Sequence, residues 1–504
     1  MTMSYFELQN GSDVRGVAIA GVPGKNVNLT EKAVKNIMRG FVRWLYEKTA
    51  KIPGKDVLRI AVGRDSRLSG PEMMYWIVSA GMEDGAVTVD MGLASTPAMF
   101  MSTVLPGFEY DGAVMITASH LPFERNGLKF FTRSGGLESS DIRRILEIAG
   151  GPMAKLKRTD WGGEHRNLMD VYSAHLRKII QDAAGKEKPL QGLHIVVDAG
   201  SGAGGFYASK VLEPLGADTE GSVLLEPDGH FPGHIPNPEL PEAMESIQKA
   251  VLDSHADFGI IFDTDVDRAG AVLSDGRELN RNSLIAVLSA VLLRDYPGTT
   301  IVTDSITSTG LSDFIREKGG VHHRFKRGYR NVINEAIRLN EEGTDSQLAI
   351  ETSGHAAMKE NYFLDDGAYV VTRLLIELAK GTKLQELISD LREPAEASEF
   401  RFDITDTDFK ACGQEILASL PAYIEKVPGW EMLKDNYEGV RVNVDPSHGN
   451  GWFLLRMSLH DPILPLNIES DVPGGVQRIA KDLAPFLTAY RDRIDPAPLL
   501  RALN

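Results

Sequence analysis

DGAVMITASHLPFERNGLKFF, residues 111–131, joins an apolar run of strand type to the small pair Ala118-Ser119 and then to a second apolar run. The first run stops abruptly at Ala118, so Ser119 stands at a strand exit. Ligands of open α/β sheets gather beyond the carboxyl ends of the strands, which makes the Ser119 hydroxyl a candidate nucleophile. Asn126-Gly127 reads as a turn dipeptide that folds the chain back, so that the strand LKFF brings the Lys129 amine near the serine, with His120 also within reach. Alone, TASH is an ordinary loop, and its weight depends on what stands elsewhere.

Working outward, VLRIAVGRD (57–65), LHIVVDAGSG (193–202) and TIVTDSI (300–306) each read as an apolar strand, then a turn rich in Gly, Asp or Ser, then a helix-like stretch. This predicts three similar mixed α/β domains. TDFKACGQEILASLPAYIE (407–425) has a helical period in a fourth, smaller domain. LREPAEASEF (391–400), polar and proline-bearing, reads as a linker suited to a hinge. A chain of 504 residues exceeds one ordinary core, which agrees with three or four domains.

GIIFDTDVDRAGAV (259–272) runs an apolar strand into Asp263, Asp265 and Asp267. Three carboxylates at alternate positions make a hard-cation site suited to Mg²⁺. An EF-hand loop wants Gly at its sixth position and Glu at its twelfth, where this chain has Arg268 and Ser274, so that reading fails. Three carboxylates leave coordination room for another anion, which a phosphate on Ser119 would fill, with Arg268 steadying the same oxygens.

Taken in order, these loops resemble those of the α-D-phosphohexomutase superfamily, the phosphomannomutase/phosphoglucomutase group, and the resemblance runs over nearly the whole chain. The family's phosphoserine loop, TASHNPxxxNGxK, is matched from Thr117 to Lys129 with Leu121 in place of asparagine; its metal loop, DxDxDR, is matched in full from Asp263 to Arg268. Its sugar loop, GExSGH, is matched by Glu351, Ser353, Gly354 and His355, with Ile350 replacing the first glycine. GSDVRG (11–16), GRDSRLSG (63–70), LASTPAM (93–99), PDGHFPGHIPNPE (227–239) and DDGAY (365–369) fall where the family has similar strings.

The resemblance implies three similar α/β domains and a smaller α+β C-terminal domain around a central cleft, with boundaries near 163, 278 and 395: residues 1–163 with the phosphoserine loop, 164–278 with the metal loop, 279–395 with the sugar loop, 396–504 with a phosphate loop. It implies a mutase that moves phosphate between O1 and O6 of a hexose, mannose or glucose, through phosphoserine 119 and a bound hexose 1,6-bisphosphate, with Mg²⁺ held by Ser119, Asp263, Asp265 and Asp267. Lys129 is then the general acid/base, its ammonium tuned by cationic surroundings, with His120 the alternative and Arg15 near the phosphoserine. Glu351 and Ser353 would hold O3 and O4; Arg268, Lys326, Gly328, His355, Arg456, Ser458 and His460 complete the substrate set. Closure of the last domain over the sugar phosphate is the expected motion.

The fourth loop departs most. The family's RxSGTEPxxR reads RMSLHDPILP here: Arg456, Ser458 and Pro462 remain, Leu459-His460 replaces Gly-Thr, Asp461 the glutamate, and Pro465 the second arginine. His460, and the donors of the SHGNG turn at His448, Gly449, Asn450 and Gly451, are the candidates to compensate. HHRFKRGYR (322–330) lies where the family has a KTGH-like turn, matching at Lys326 and Gly328, with Tyr329 in place of histidine.

With 54 basic against 70 acidic residues and a formal net charge of −16, one short basic patch argues for a local anion site rather than nucleic acid or an anionic membrane. No apolar stretch approaches the ~20 residues of a membrane span, no signal peptide is read at the N-terminus, and the single Cys412 allows no intrachain disulfide, so a cytoplasmic setting is expected. The resemblance implies a small phosphosugar substrate and a monomer or homodimer. Three other readings stay open: a mutase for glucosamine or N-acetylglucosamine phosphate, a metal-dependent phosphatase, and a catalytically weakened phosphosugar-binding or regulatory homologue.

Overall fold

The structure, a computed structural model, describes residues 4–153, 156, 163–458 and 461–503. The chain divides into two compact units, Met1–Leu284 with Ser353–Glu386, and Ile285–Thr352 with Leu387–Asn504.

In the first unit, one sheet runs in the order Gln9–Asn10, Asp13–Val17, Arg125–Thr132, Gly112–Ile116, Arg59–Arg64, Val87–Leu93, with Gly135–Gly136 beside Arg125–Thr132. Its last three strands are parallel, as the strand–turn–helix repeats imply, and Arg125–Thr132 returns antiparallel to Gly112–Ile116. Gly112–Ile116 is buried along its whole length, which explains its unbroken apolar run. Helices Glu31–Thr49, Gly70–Glu83 and Ser139–Gly150 supply residues such as Phe41, Ile77 and Ile145 to a core shared with Ile60, Val62, Val114 and Phe130. A second sheet runs Glu278–Leu279, Ala269–Leu273, Phe258–Phe262, Ile195–Asp198, its middle strands antiparallel and joined by the 263–268 loop.

The second unit holds the parallel strands Val321–Arg324, Thr300–Thr303 and Ser346–Ile350. It also holds a wholly antiparallel sheet in the order Glu396–Asp403, Ile463–Ser470, Gly451–Leu455, Val440–Val444, Trp430–Met432. Helices Phe409–Ile424 and Gly475–Thr488 bury Cys412, Ile416, Ile479 and Leu483 against Phe453 and Leu466, and the thiol is a small core residue. The fold thus has three mixed α/β domains in chain order and a further C-terminal α+β domain, as expected.

Two expectations are corrected. Asn126-Gly127 is not a turn: both residues lie inside the strand Arg125–Thr132, and the chain reverses before them, around Pro122 and Arg125. Glycine is needed at 127 for closeness, since a Cβ there would stand 2.3 Å from the Val14 carbonyl oxygen and 2.7 Å from that of Thr117. The supposed linker 391–400 is strand from Glu396 onward, paired residue by residue with Ile463–Ser470. Its alternating burial was masked by charges on the exposed face of an edge strand.

Candidate active site

Ser119 follows the strand Gly112–Ile116 and adopts a left-handed backbone, φ 51°, while its side chain is buried. That conformation costs a non-glycine residue energy, and the surroundings over-determine it. Ser119 N donates to Thr117 Oγ1 at 2.9 Å, and Arg15 Nη1 donates to the Ala118 carbonyl at 3.4 Å. Arg67, from the GRDSRLSG turn, is fully buried and donates to the carbonyls of Ser119, Leu121, Pro122 and Arg125. Arg67 of this turn is therefore an internal clamp on the 119–125 loop.

The hairpin loop 263–268 brings its carboxylates to the same place. Ser119 Oγ donates to Asp263 Oδ2 at 3.0 Å, and Arg268 Nη2 donates to Ser119 Oγ at 3.3 Å and to Asp263 Oδ2 at 3.2 Å. Lys129 Nζ donates to Asp265 Oδ2 at 3.1 Å and to Asp267 Oδ2. The immediate partners of Lys129 are thus carboxylates, where the sequence reading invoked cations. LASTPAM joins from the side: Thr96 N donates to the Asp265 carbonyl at 2.8 Å, and Thr96 Oγ1 to Asp265 Oδ2.

The ligand atoms of Asp263, Asp265 and Asp267 lie within 4.8 Å of one another, and all three residues are buried. Asp265 Oδ1 and Asp267 Oδ1 are buried with no hydrogen-bond partner among the described residues. Burial, then the neighbouring carboxylates, push Asp263 well above the usual range; burial opposes ionisation of Asp267, but Lys129, His355 and Arg268 hold it low. Buried hard oxygens left without hydrogen bonds are costly unless a cation meets them, so the residues fit a hard divalent cation.

His120 is neutral: burial, then Arg268 and Arg15, lower its pKa to about 2, and Nδ1 lies 2.6 Å from Arg268 Nη2 and 3.2 Å from Ser119 Oγ. His355 is tied to the metal loop by a bridge to Arg268, and its Nδ1 meets Asp365 Oδ2 at 2.6 Å. Burial works against its charged form, but Asp365 and Asp267 outweigh it and raise the pKa to about 9. Asp366, the second acid of DDGAY, caps the helix Gly367–Ala379 and accepts from Tyr172 Oη at 2.8 Å.

The remaining expected residues fall in the second unit, apart from Ser353, which is buried in the first. Glu351 Oε1 accepts from Gly328 N at 2.6 Å, which joins the end of the strand Ser346–Ile350 to the basic turn of Lys326. Arg456, buried, follows the strand Gly451–Leu455, and its N donates to the Pro465 carbonyl at 3.1 Å; Ser458 N donates to Ile463 O at 3.0 Å. His460 lies outside the described residues. The SHGNG turn ends at Gly451, the first residue of that strand, and Arg456 follows its last, so a five-residue strand, roughly 17 Å at ~3.3 Å per residue, lies between them.

Sequence reasoning missed Arg67, Asn237, Glu239 and Asp365 as site residues. Arg67 and Asp365 stood in strings already singled out, and Asn237 and Glu239 in PDGHFPGHIPNPE, where only the tertiary contact gives them meaning.

Family descriptions match on the same frame: "Phosphoglucomutase/phosphomannomutase, alpha/beta/alpha domain I" over residues 7–151, "domain II" over 170–276 and "domain III" over 280–394. The phosphoglucomutase of Neisseria gonorrhoeae is 30% identical over 463 residues, 92% of this chain and 93% of that one. The phosphomannomutase/phosphoglucomutase of Pseudomonas putida is 31% identical over 427 residues, 84% of this chain and 85% of that one. A crystal structure of a phosphoglucomutase/phosphomannomutase family protein from Burkholderia thailandensis superposes with a TM-score of 0.79 at 27% identity, covering 97% of this chain and 98% of that chain. With three family domains matched in order over most of its length and relatives about 30% identical over most of theirs, the chain belongs to the phosphoglucomutase/phosphomannomutase family of the α-D-phosphohexomutase superfamily, intramolecular phosphotransferases of the isomerase class.

Proposed function

We propose that the protein interconverts hexose 1-phosphate and hexose 6-phosphate, of glucose, mannose or both, through a phosphoserine at Ser119 and a bound hexose 1,6-bisphosphate. The observation that carries this reading is the buried Ser119 Oγ lying 3.0 Å from Asp263 Oδ2 and 3.3 Å from Arg268 Nη2. A nucleophile so placed between an acid cluster and a guanidinium is arranged for phosphoryl transfer. The division into domains near 163, 278 and 395 belongs to the same proposal.

Asp263, Asp265, Asp267 and the serine oxygen would hold Mg²⁺, which when bound withdraws charge from the phosphoryl group. Arg67 and Arg15 orient the serine loop through its carbonyls. As the sugar hydroxyl oxygen forms its bond to phosphorus, the phosphorus–Oγ bond of Ser119 breaks in line with it. Arg268 Nη2 stays on the departing oxygen. Lys129, as general acid/base, returns to Ser119 Oγ the proton that the sugar hydroxyl gives up. The reverse transfer at the other hydroxyl of the bisphosphate restores phosphoserine. His120, neutral and engaged by Arg268, serves as an acceptor rather than the acid. Lys326, Gly328, Glu351, Ser353, His355, Arg456 and Ser458 are the residues proposed to hold sugar and second phosphate.

³¹P NMR tests this with Mg²⁺, a trace of hexose 1,6-bisphosphate, and the 1-phosphates of glucose, mannose, glucosamine and N-acetylglucosamine in turn. A 6-phosphate formed by the wild type and not by Ser119→Ala supports the reading and names the sugar. Release of inorganic phosphate instead makes the protein a phosphatase. No conversion with Ser119 phosphorylated makes it a binding or regulatory homologue, the reading that Pro465, seated in a β-ladder opposite Arg401, favours.

A further inference from the structure

Arg268 is buried and its guanidinium is used on three sides. Nε and Nη2 donate to Asp263 Oδ2 at 3.3 and 3.2 Å, Nη2 also faces Ser119 Oγ at 3.3 Å, and Nη1 donates to Asn237 Oδ1 at 2.9 Å with Glu239 Oε2 at 3.5 Å. A guanidinium is planar and rigid, so an acceptor on Nη1 sets the direction in which Nη2 points.

Asn237 is held as a fixed acceptor. It sits between Pro236 and Pro238, whose rings restrict the backbone, and its Oδ1 also accepts from Glu239 N at 3.1 Å. Asn280 Nδ2 donates to the Pro238 carbonyl at 2.7 Å. Upstream, His234 bridges the Ile235 carbonyl and Asp198 Oδ2, both at 3.0 Å, and Ser246 Oγ donates to the same carboxylate at 2.6 Å. Gly200, at φ 52°, lets the segment seat closely, because a Cβ there would stand 2.5 Å from Pro236 Cβ.

We infer that Asn237 is a positioning residue for phosphoryl transfer, aiming the Arg268 fork at the Ser119 oxygen, and that the His234–Asp198–Ser246 latch holds Asn237 in place for that purpose. The inference rests on the proposed mutase reading and adds to it a residue that acts through Arg268.

The test is single-turnover transfer from protein phosphorylated on Ser119 to a hexose 1-phosphate with Mg²⁺, alongside steady-state kinetics and a thermal midpoint. Asn237→Ala slows the single turnover about 10- to 100-fold with KM for the sugar phosphate within about twofold of wild type. Asn237→Asp, which restores an acceptor on Nη1 while offsetting part of the arginine charge, falls between Ala and wild type. Should Asn237→Ala fail to fold, Asn237→Ser takes its place, since its hydroxyl is short of Nη1. A single-turnover rate for Ala or Ser within twofold of wild type overturns the inference, as do equal rates for Asp and Ala, or a loss confined to KM. Absence of transfer in the wild type itself overturns the mutase reading instead, so the two failures are distinguishable.

Discussion

Arg67 reaches, through a guanidinium with no exposure, the main-chain carbonyl of Ser119 from 52 residues away in sequence, and its Nη1 spans the Pro122 and Arg125 carbonyls at 2.9 Å each. Its Nε lies 3.4 Å from Asp65 Oδ2, an acid whose pKa burial raises to about 6 despite that cation. One buried arginine thus supports the strained turn on which Ser119, the proposed nucleophile, stands.

Arg67→Met leaves Asp65 without its cation and four carbonyls without their donor. The expected loss is about 3–5 kcal/mol of stability, read by urea unfolding. Asp65→Asn in the same protein recovers part of it, because the uncompensated charge is gone. A destabilisation under 1 kcal/mol would deny Arg67 this role.

Gly127→Ala introduces a Cβ into main chain that cannot move without opening the pairing of Arg15 with Gly127. A loss of about 2 kcal/mol or more is expected in thermal or urea unfolding, since overpacking against backbone has no cheap relief. An unchanged midpoint would restore the reading of Asn126-Gly127 as a free turn.

Asp366 makes stability depend on pH. Its carboxyl is raised from 3.8 to about 7, chiefly by burial, with hydrogen bonds from Tyr369 N, Tyr172 and Asn361 opposing. Folded protein therefore retains a proton that the unfolded chain releases between about pH 4 and 7, so this group's contribution is full below pH 4 and lost as pH rises through 7. Asp366→Asn flattens that segment of the curve; an identical slope in urea titrations would refute it.

Removal of divalent metal with EDTA should abolish transfer from phosphorylated Ser119, and Mg²⁺ should restore it. Asp265→Asn should lower the rate about 100-fold or more, with loss of the metal dependence at ordinary concentrations. Full activity in EDTA would remove the metal from the reading.

Arg456→Lys tests the altered phosphate loop. If Arg456 carries the second phosphate without the arginine that Pro465 replaces, KM for the hexose phosphate rises about tenfold while kcat changes little, because a lysine loses the forked contact. An unchanged KM would place the phosphate elsewhere.

Much of this was legible in one dimension. The strand exit at Ser119, the alternating carboxylates of 263–267, the α/β repeats and the helix of 409–424 are local patterns, and local backbone physics acts at that range. Glu396–Asp403 was hidden because charges on the open side of an edge strand look like a linker, and Asn126-Gly127 because the dipeptide favours a turn that the sheet overrides.

The sequence by itself determined the fold class and the chemistry available: a serine at a strand end, a hard-oxygen loop, and an arginine beside it. Only the tertiary structure decided which charged residues work as a unit. Arg67, Asn237 and the carboxylate partners of Lys129 are defined by contacts 31 to 138 residues apart in sequence, and Asp365 by a contact with His355 ten residues away. Their significance comes from burial, because a charge removed from water must find its partner wherever the fold supplies one.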